Sequence, residues 1–154
     1  MEEALAARYT YQPDGRLINK LTNDFGDKDV NRAGYRRVSW DRGPKGRIRA
    51  FAHRVIWVMH HGPILDGQLV DHIDGDHLNN RIDNLRLVTK SGNGQNVVYK
   101  GYCWASREGK YLATIKLNGK SKFLGYYDSP ETARAAYLAA KAVRHEFASA
   151  RTLI

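Results

Sequence analysis

The sequence predicts an α+β fold in two parts, on the strength of three patterns. Residues 9–52 break into short runs separated by Pro, Gly and Asp turns, Asn118-Gly119 sits between two alternating segments, and a single apolar stripe at helical spacing follows Ser129-Pro130. In order, Pro13-Asp14-Gly15 is a turn joining strands Tyr9-Thr10-Tyr11 and Arg16-Leu17-Ile18. Gly34 to Trp40 is a further strand, ending at a loop with Gly43, Pro44 and Gly46. Residues 53–61 form a short helix, apolar from Val55 to Met59 and stopped by Gly62-Pro63. Gln68 to Ile73 and Leu85 to Thr89 are strands on either side of a polar loop, and Ser91 caps one or two helical turns. From Tyr99 the pattern is a small sheet and one long helix. Tyr111 to Leu117 alternates, Asn118-Gly119 returns the chain through Lys120 to Tyr127, and Ala133, Ala136, Tyr137, Ala140, Val143 and Phe147 recur as one buried stripe.

Composition narrows the class of function. Among 154 residues, 25 Lys and Arg face 16 Asp and Glu, a net charge of +9 that suits a partner rich in phosphate. The two kinds of charge are segregated: residues 1–98 carry 15 basic and 12 acidic side chains, residues 99–154 carry 10 and 4. The longest apolar run, Ala135 to Ala140, is far short of the roughly 20 residues of a spanning helix, and no export signal opens the chain, so no membrane role is expected. The one cysteine, Cys103, makes neither an intrachain disulfide nor a thiolate zinc cluster, which fits a reducing cytoplasm.

The acidic charge concentrates where chemistry is expected. Asp71, Asp74, Asp76 and Asp83 lie within thirteen residues, and Asp71 adjoins His72 at the end of an apolar strand. Strand neighbours point to opposite faces, so these two side chains have different jobs. A carboxylate is a hard ligand for Mg²⁺ or Mn²⁺, and a neutral imidazole is a general base near neutral pH. The competing reading of Asp74-Gly75-Asp76 with Asn79 and Asn80 is a polar turn. A calcium-loop reading fails, because no Glu closes the loop and no helices flank it.

Asp71-His72-Ile73-Asp74-Gly75, Asn79-Asn80, Asn84-Leu85-Arg86-Leu87-Val88-Thr89 and Asn93 closely resemble the HNH nuclease family in its phage and intron homing-endonuclease branch. The upstream His53-Arg54-Val55-Ile56-Trp57, Gly62-Pro63-Ile64 and Asp14-Gly15-Arg16 resemble its usual lead-in, and the likeness spans about residues 8–97. It implies a ββα-metal fold, a β-hairpin and helix clasping one divalent ion, Mg²⁺ or Mn²⁺. It further implies that Asp71 ligates the metal, His72 activates the attacking water, Asn84 holds the His72 strand and Asn93 is the second metal ligand. Gly92 and Gly94 depart from the pattern around Asn93 and make Asn96 a rival ligand. Asp74, Asp76 and His77 are expected to form the loop, and His60 and His61 to satisfy carbonyls at a helix end.

Residues 99–148 resemble the plant ethylene-response-factor type of DNA-binding domain, through Tyr99-Lys100-Gly101-Tyr102, Gly109-Lys110-Tyr111, Ala113, Ile115, Leu124-Gly125, Pro130-Glu131-Thr132-Ala133, Ala136-Tyr137 and Ala140. That family reads DNA with a three-stranded sheet backed by a helix. Alternation puts Ala113, Ile115 and Leu124 on the helix side and Thr114, Lys116, Ser121 and Phe123 on the other, with Arg107, Lys110, Lys120 and Lys122 at the rim. A solvated basic face is the alternative reading of the same residues. Cys103 and Ala105 stand where family members carry base-reading arginines.

These readings join into a nuclease domain over residues 1–98 and a DNA-binding domain over 99–154. The function expected is a metal-dependent endonuclease of mobile-element type, acting on double-stranded DNA in the cytoplasm of a bacterial host, with no obligate protein partner. The alternative is a non-catalytic DNA-binding regulator with a decayed nuclease site. An RNA-binding role lacks the paired aromatic platform on a sheet.

Overall fold

The computed structural model describes residues 1–148 and Leu153. Its contacts divide the chain into two compact units, Met1–Val88 and Thr89–Ile154, whereas the sequence places the seam after Val98.

In the first unit a five-residue helix, α1 (Glu2–Ala6), precedes a three-stranded antiparallel sheet of β1 (Tyr9–Tyr11), β2 (Leu17–Asn19) and β3 (Asp24–Phe25). A second antiparallel sheet holds β4 (Asp29–Val30), β5 (Arg36–Asp41) and β6 (Arg47–Phe51). Helix α2 (Ala52–His61) follows without a break and ends at Gly62, whose positive φ of 82° closes the last turn. Ala52, Val55 and Ile56, at helical spacing, enter a core with Leu5, Tyr9, Leu17, Val38, Val70 and Leu85. Strands β7 (Gln68–His72) and β8 (Leu85–Thr89) pair as a two-stranded sheet and frame the polar loop.

A buried ion pair holds part of this unit together. Asp27 is fully buried and both its oxygens accept from Arg16 Nε, at 3.0 and 3.1 Å, while Arg16 Nη2 lies 3.0 Å from Oδ1. The guanidinium also covers the Phe25 ring at 4.1 Å, so the pair ties the β1–β2 hairpin to the segment after β3.

The second unit opens with α3 (Lys90–Gln95), capped by Thr89, whose Oγ1 accepts from Gly92 N at 3.1 Å; the cap is therefore two residues earlier than the expected Ser91. Antiparallel strands β9 (Tyr102–Ala105), β10 (Lys110–Leu117) and β11 (Lys120–Tyr127) form a sheet with β10 central, and Asn118 and Gly119 take positive φ in the tight turn. Helix α4 (Pro130–Arg144) is capped by Ser129 and packs on the sheet.

Two expectations need correcting. Ala113 pairs with Gly125 but Thr114 pairs with Phe123, so Leu124 is the extra residue of a bulge and the simple alternation along β11 breaks there. The buried row of α4 runs through Ala133, Tyr137 and Lys141, because residues four apart drift around a helix of 3.6 residues per turn. Val143 falls outside that row and is 85% exposed, while buried Lys141 donates to the Val97 carbonyl at 2.8 Å.

Replacing Arg16 by Met keeps the apolar stem but leaves the Asp27 carboxylate buried and unpaired. Arg16→Met is expected to cost about 3 to 5 kcal/mol, read from the urea midpoint at neutral pH.

Candidate active site

The last two residues of β7 point different ways, as pleating requires. The Asp71 carboxylate turns to β8, where Arg86 Nε and Nη2 both donate to its Oδ2 at 3.0 and 2.9 Å. His72 is buried, and its Nε2 lies 2.8 Å from the Oδ1 of buried Asn80. Burial holds the His72 pKa below the ordinary histidine value, against the upward pull of the Asn80 hydrogen bond, so the ring is neutral at physiological pH.

The loop from 73 to 84 is built on carboxylate and amide bonds. Asn84 accepts from Asp74 N at 3.1 Å and donates through Nδ2 to Asp74 Oδ1 at 2.9 Å and to the Asn79 carbonyl at 2.8 Å, while its own carbonyl accepts from Ile73 N at 2.9 Å. Asp74 also accepts from Asp76 N and from Asn79 Nδ2, at 2.8 and 2.7 Å. Burial raises the Asp74 pKa, but these bonds outweigh it and hold it below the usual carboxylate value. Asp76 accepts from Leu78 N at 2.9 Å. The two aspartates shape the loop, as the turn reading expects.

A turn from the first sheet backs this loop. A Cβ on Gly15 would come within 2.6 Å of both Asn80 C and Arg81 N, and the residue has φ of +85°, so only glycine fits between β1 and β2 here. Close by, Ile82 N donates to the Tyr11 hydroxyl at 3.1 Å.

Three aromatic side chains, two from distant segments and one from the same loop, wall the His72 ring. His53, at the start of α2, meets it edge-on with centroids 4.9 Å apart, and Tyr35 and His77 lie at 6.0 and 5.8 Å. Tyr35 stacks on His77 at 3.9 Å and 14° and bonds its Nε2 through the hydroxyl at 3.0 Å, while His77 Nδ1 donates to the Ala33 carbonyl. Sequence reading placed none of Tyr35, His53 or Arg86 in a functional role, since each reaches the site over a long chain separation with no local spacing to betray it. Neither His60 nor His61 shows a carbonyl bond among the described contacts; they rest on Tyr11 and Trp57.

Asn93 and Asn96 belong to the second unit. Asn93 is exposed on α3 and its carbonyl accepts from the N–H of Asn96, which is buried. Among the described residues no three His, Cys, Asp or Glu side chains gather as a metal cluster.

On the second unit's sheet, strand pairing puts Lys110, Thr114 and Lys116 on the face turned from α4, with Ser121 and Phe123 opposite the last two. Phe123 is 63% exposed and meets the exposed Tyr126, which sequence reading passed over, edge-on at 5.2 Å. Lys110 is paired with Asp128 at 3.0 Å. Lys120 and Lys122 register with Leu117 and Ile115, which places them on the side of α4, and Arg107 is exposed in the β9–β10 turn.

A family model described as HNH endonuclease matches residues 50–95, a span that contains Asp71, His72, Asn84 and Asn93. Protein 3.8 of Escherichia phage T7 is 30% identical over 107 residues, covering 64% of this chain and 88% of that protein. The SPbeta prophage-derived protein YosQ of Bacillus subtilis (strain 168), whose name describes an HNH homing endonuclease, is 35% identical over 79 residues, 51% of this chain and 46% of its own length. The solved structure of the HNH homing endonuclease I-HmuI matches in fold with a TM-score of 0.52 at 24% identity, covering 82% of this chain and 75% of that one.

His53 supplies a pH test of this packing. Burial first, then the neighbouring His72, lowers its pKa from 6.5 to about 3. The unfolded chain takes up that proton near 6.5 and the folded one does not until about 3, so stability present above 6.5 is lost on acidification, by about 1.4 kcal/mol per pH unit within the window. A His53→Phe variant is expected to lose less stability than the parent between neutral pH and about pH 5 in urea titrations.

Proposed function

Because the chain belongs to the HNH endonuclease family and is a nuclease, we propose that it is a metal-dependent endonuclease of homing or mobile-element type that hydrolyses phosphodiester bonds in double-stranded DNA. The observation that carries the reading is the Asp71-His72 pair at the end of β7, a hard anionic ligand beside a buried neutral imidazole. Two likenesses support the choice of substrate: the structure of I-HmuI, similar in fold, is described as one of DNA binding and cleavage, and YosQ carries a homing-endonuclease name.

In this reading His72 takes a proton from water as its oxygen bonds to phosphorus, and the bond from phosphorus to the 3′ oxygen breaks on the opposite side, with that oxygen taking a proton from solvent. One divalent ion, Mg²⁺ or Mn²⁺, supplies charge stabilisation at the phosphoryl and leaving oxygens when bound. Asp71 would offer such an ion a carboxylate, a hard oxygen donor that suits a cation which keeps much of its water, and Asn93, with Asn96 as its rival, is the second ligand that the family resemblance implies. Arg86 orients Asp71 by its two hydrogen bonds to Oδ2. Asn84 keeps the loop closed against the strand that carries His72.

Residues 99–154 serve in this proposal as the DNA-binding domain. Thr114, Lys116 and Phe123 offer polar, cationic and apolar contact on one face, with Lys110 on the same face and Arg107 in the adjoining turn adding positive charge, while Lys120 and Lys122 add to the overall positive charge of the unit from the α4 side. No helix among the described residues is long and apolar enough to cross a membrane.

Plasmid incubated with the protein should be cut with Mg²⁺ or Mn²⁺ and left intact when a chelator is added. His72→Ala should bind DNA as the parent does while cleavage falls by roughly 10²-fold or more; near-normal cutting would exclude the base assignment, and no cutting by the parent with any divalent metal would favour a decayed site. Lys116→Ala should weaken binding and lower the slope of log K against log salt by about one if its ammonium meets a phosphate.

A further inference from the structure

The second unit carries a groove to which no role has yet been given. It measures about 810 Å³ and lies wholly within the unit Thr89–Ile154. Lys90, Ser91 and Gly94, which share a face of α3, form one wall, and Thr114, Lys116 and Ser121 of the sheet line the other. No Asp or Glu is among the lining residues, and neither lysine has a carboxylate partner among the described residues, whereas Lys110 is taken up by Asp128. Two ammonium groups and three hydroxyls with no carboxylate suit a phosphate-bearing partner. Gly94 is an independent sign. It takes no positive φ, and a Cβ there would meet nothing within 4 Å among the described residues. Neither a turn nor a crowded neighbour within the chain therefore calls for glycine, although alanine is the better helix former. Such a glycine leaves the backbone open to close approach from outside.

We propose that one strand of the DNA passes from the sheet face into this groove, its phosphates held by Lys90 and Lys116 and its backbone lying close over Gly94. The proposal rests on residues 99–154 being the DNA-binding domain, and it goes beyond that reading by making α3 part of the DNA surface. Lys90, Ser91 and Gly94 fall inside the stretch that the nuclease family model matches, beside Asn93, which is not among the lining residues. The helix that the resemblance gives to the metal thus meets the substrate with a different set of residues.

The single cysteine, Cys103, is exposed and lines the groove, so it reports occupancy in the full chain. With a chelator present to prevent cutting, saturating duplex DNA should suppress maleimide labelling of Cys103, and inorganic phosphate should not; an unchanged rate with DNA bound, or equal protection by phosphate, would overturn the proposal. Gly94→Ala should keep or raise the urea midpoint, since alanine favours the helix, while its methyl group weakens binding of a labelled duplex about 10-fold. Lys90→Ala should lower the slope of log K against log salt by about one, and by more than Lys122→Ala, which removes the same charge from the α4 side. Equal slopes in those two variants would reduce the effect to general charge and reject the groove. If Lys116→Ala weakens binding while Lys90→Ala and Gly94→Ala do not, the sheet binds DNA without the groove and the proposal fails alone. If none of the three weakens it, the DNA-binding reading of residues 99–154 fails as well.

Discussion

The loop between β7 and β8 holds its shape because one amide is bonded at both ends. Asn84 accepts from the backbone of Asp74, donates to the side chain of Asp74 and the carbonyl of Asn79, and meets Ile73 through its own backbone. Around this knot Ile82 packs on the core, and the turns are made by the carboxylates of Asp74 and Asp76. The position of Asn80, and through it the orientation of His72, follows from that closure. The rest of the first unit supplies backing: α2 brings His53, the second sheet brings Tyr35, and the β1–β2 turn sits against the loop from outside.

Chemistry and packing compete for the same ground here. An imidazole that is to activate water, the role proposed for His72, has to be neutral, and burial favours that form, yet burial also removes the water that would otherwise satisfy its ring nitrogens. The site answers with the Asn80 amide and aromatic rings, which bond or cover the imidazole, and the Arg86 guanidinium is directed at Asp71. The arrangement gives two adjacent residues on one strand opposite electrostatic surroundings.

Much of this was legible in the sequence wherever the signal is local. The Asn118-Gly119 turn, the Ser129 cap and the stop at Gly62-Pro63 each depend on a few neighbouring residues, and each element lies where those residues put it. Asp71, His72 and Asn84 could be named because a short motif fixes their spacing. The two-residue strands β3 and β4 and the helix α1 carry no periodicity long enough to read, and they exist because tertiary neighbours hold them. Val143 was misplaced because an ideal period was extended past the drift of a helix, and the bulge at Leu124 shifts the register of β11 without any local sign in the sequence. The aromatic wall of the site was invisible because the segment before β5, the helix α2 and the loop after β7 contribute one ring each.

In the second unit, α3 rests on the end of the chain. A Cβ at Gly92 would approach the Phe147 ring to 2.7 Å, and Phe147 N donates to Gln95 Oε1 at 3.0 Å. The short helix that carries Asn93 thus shares its packing with a residue more than fifty positions later. For anyone exchanging the carboxy-terminal part of this protein to retarget it, the crossover point matters: a chimera joined after residue 98 would inherit a helix cut from its own support, whereas one joined ahead of Thr89 would move helix and support together.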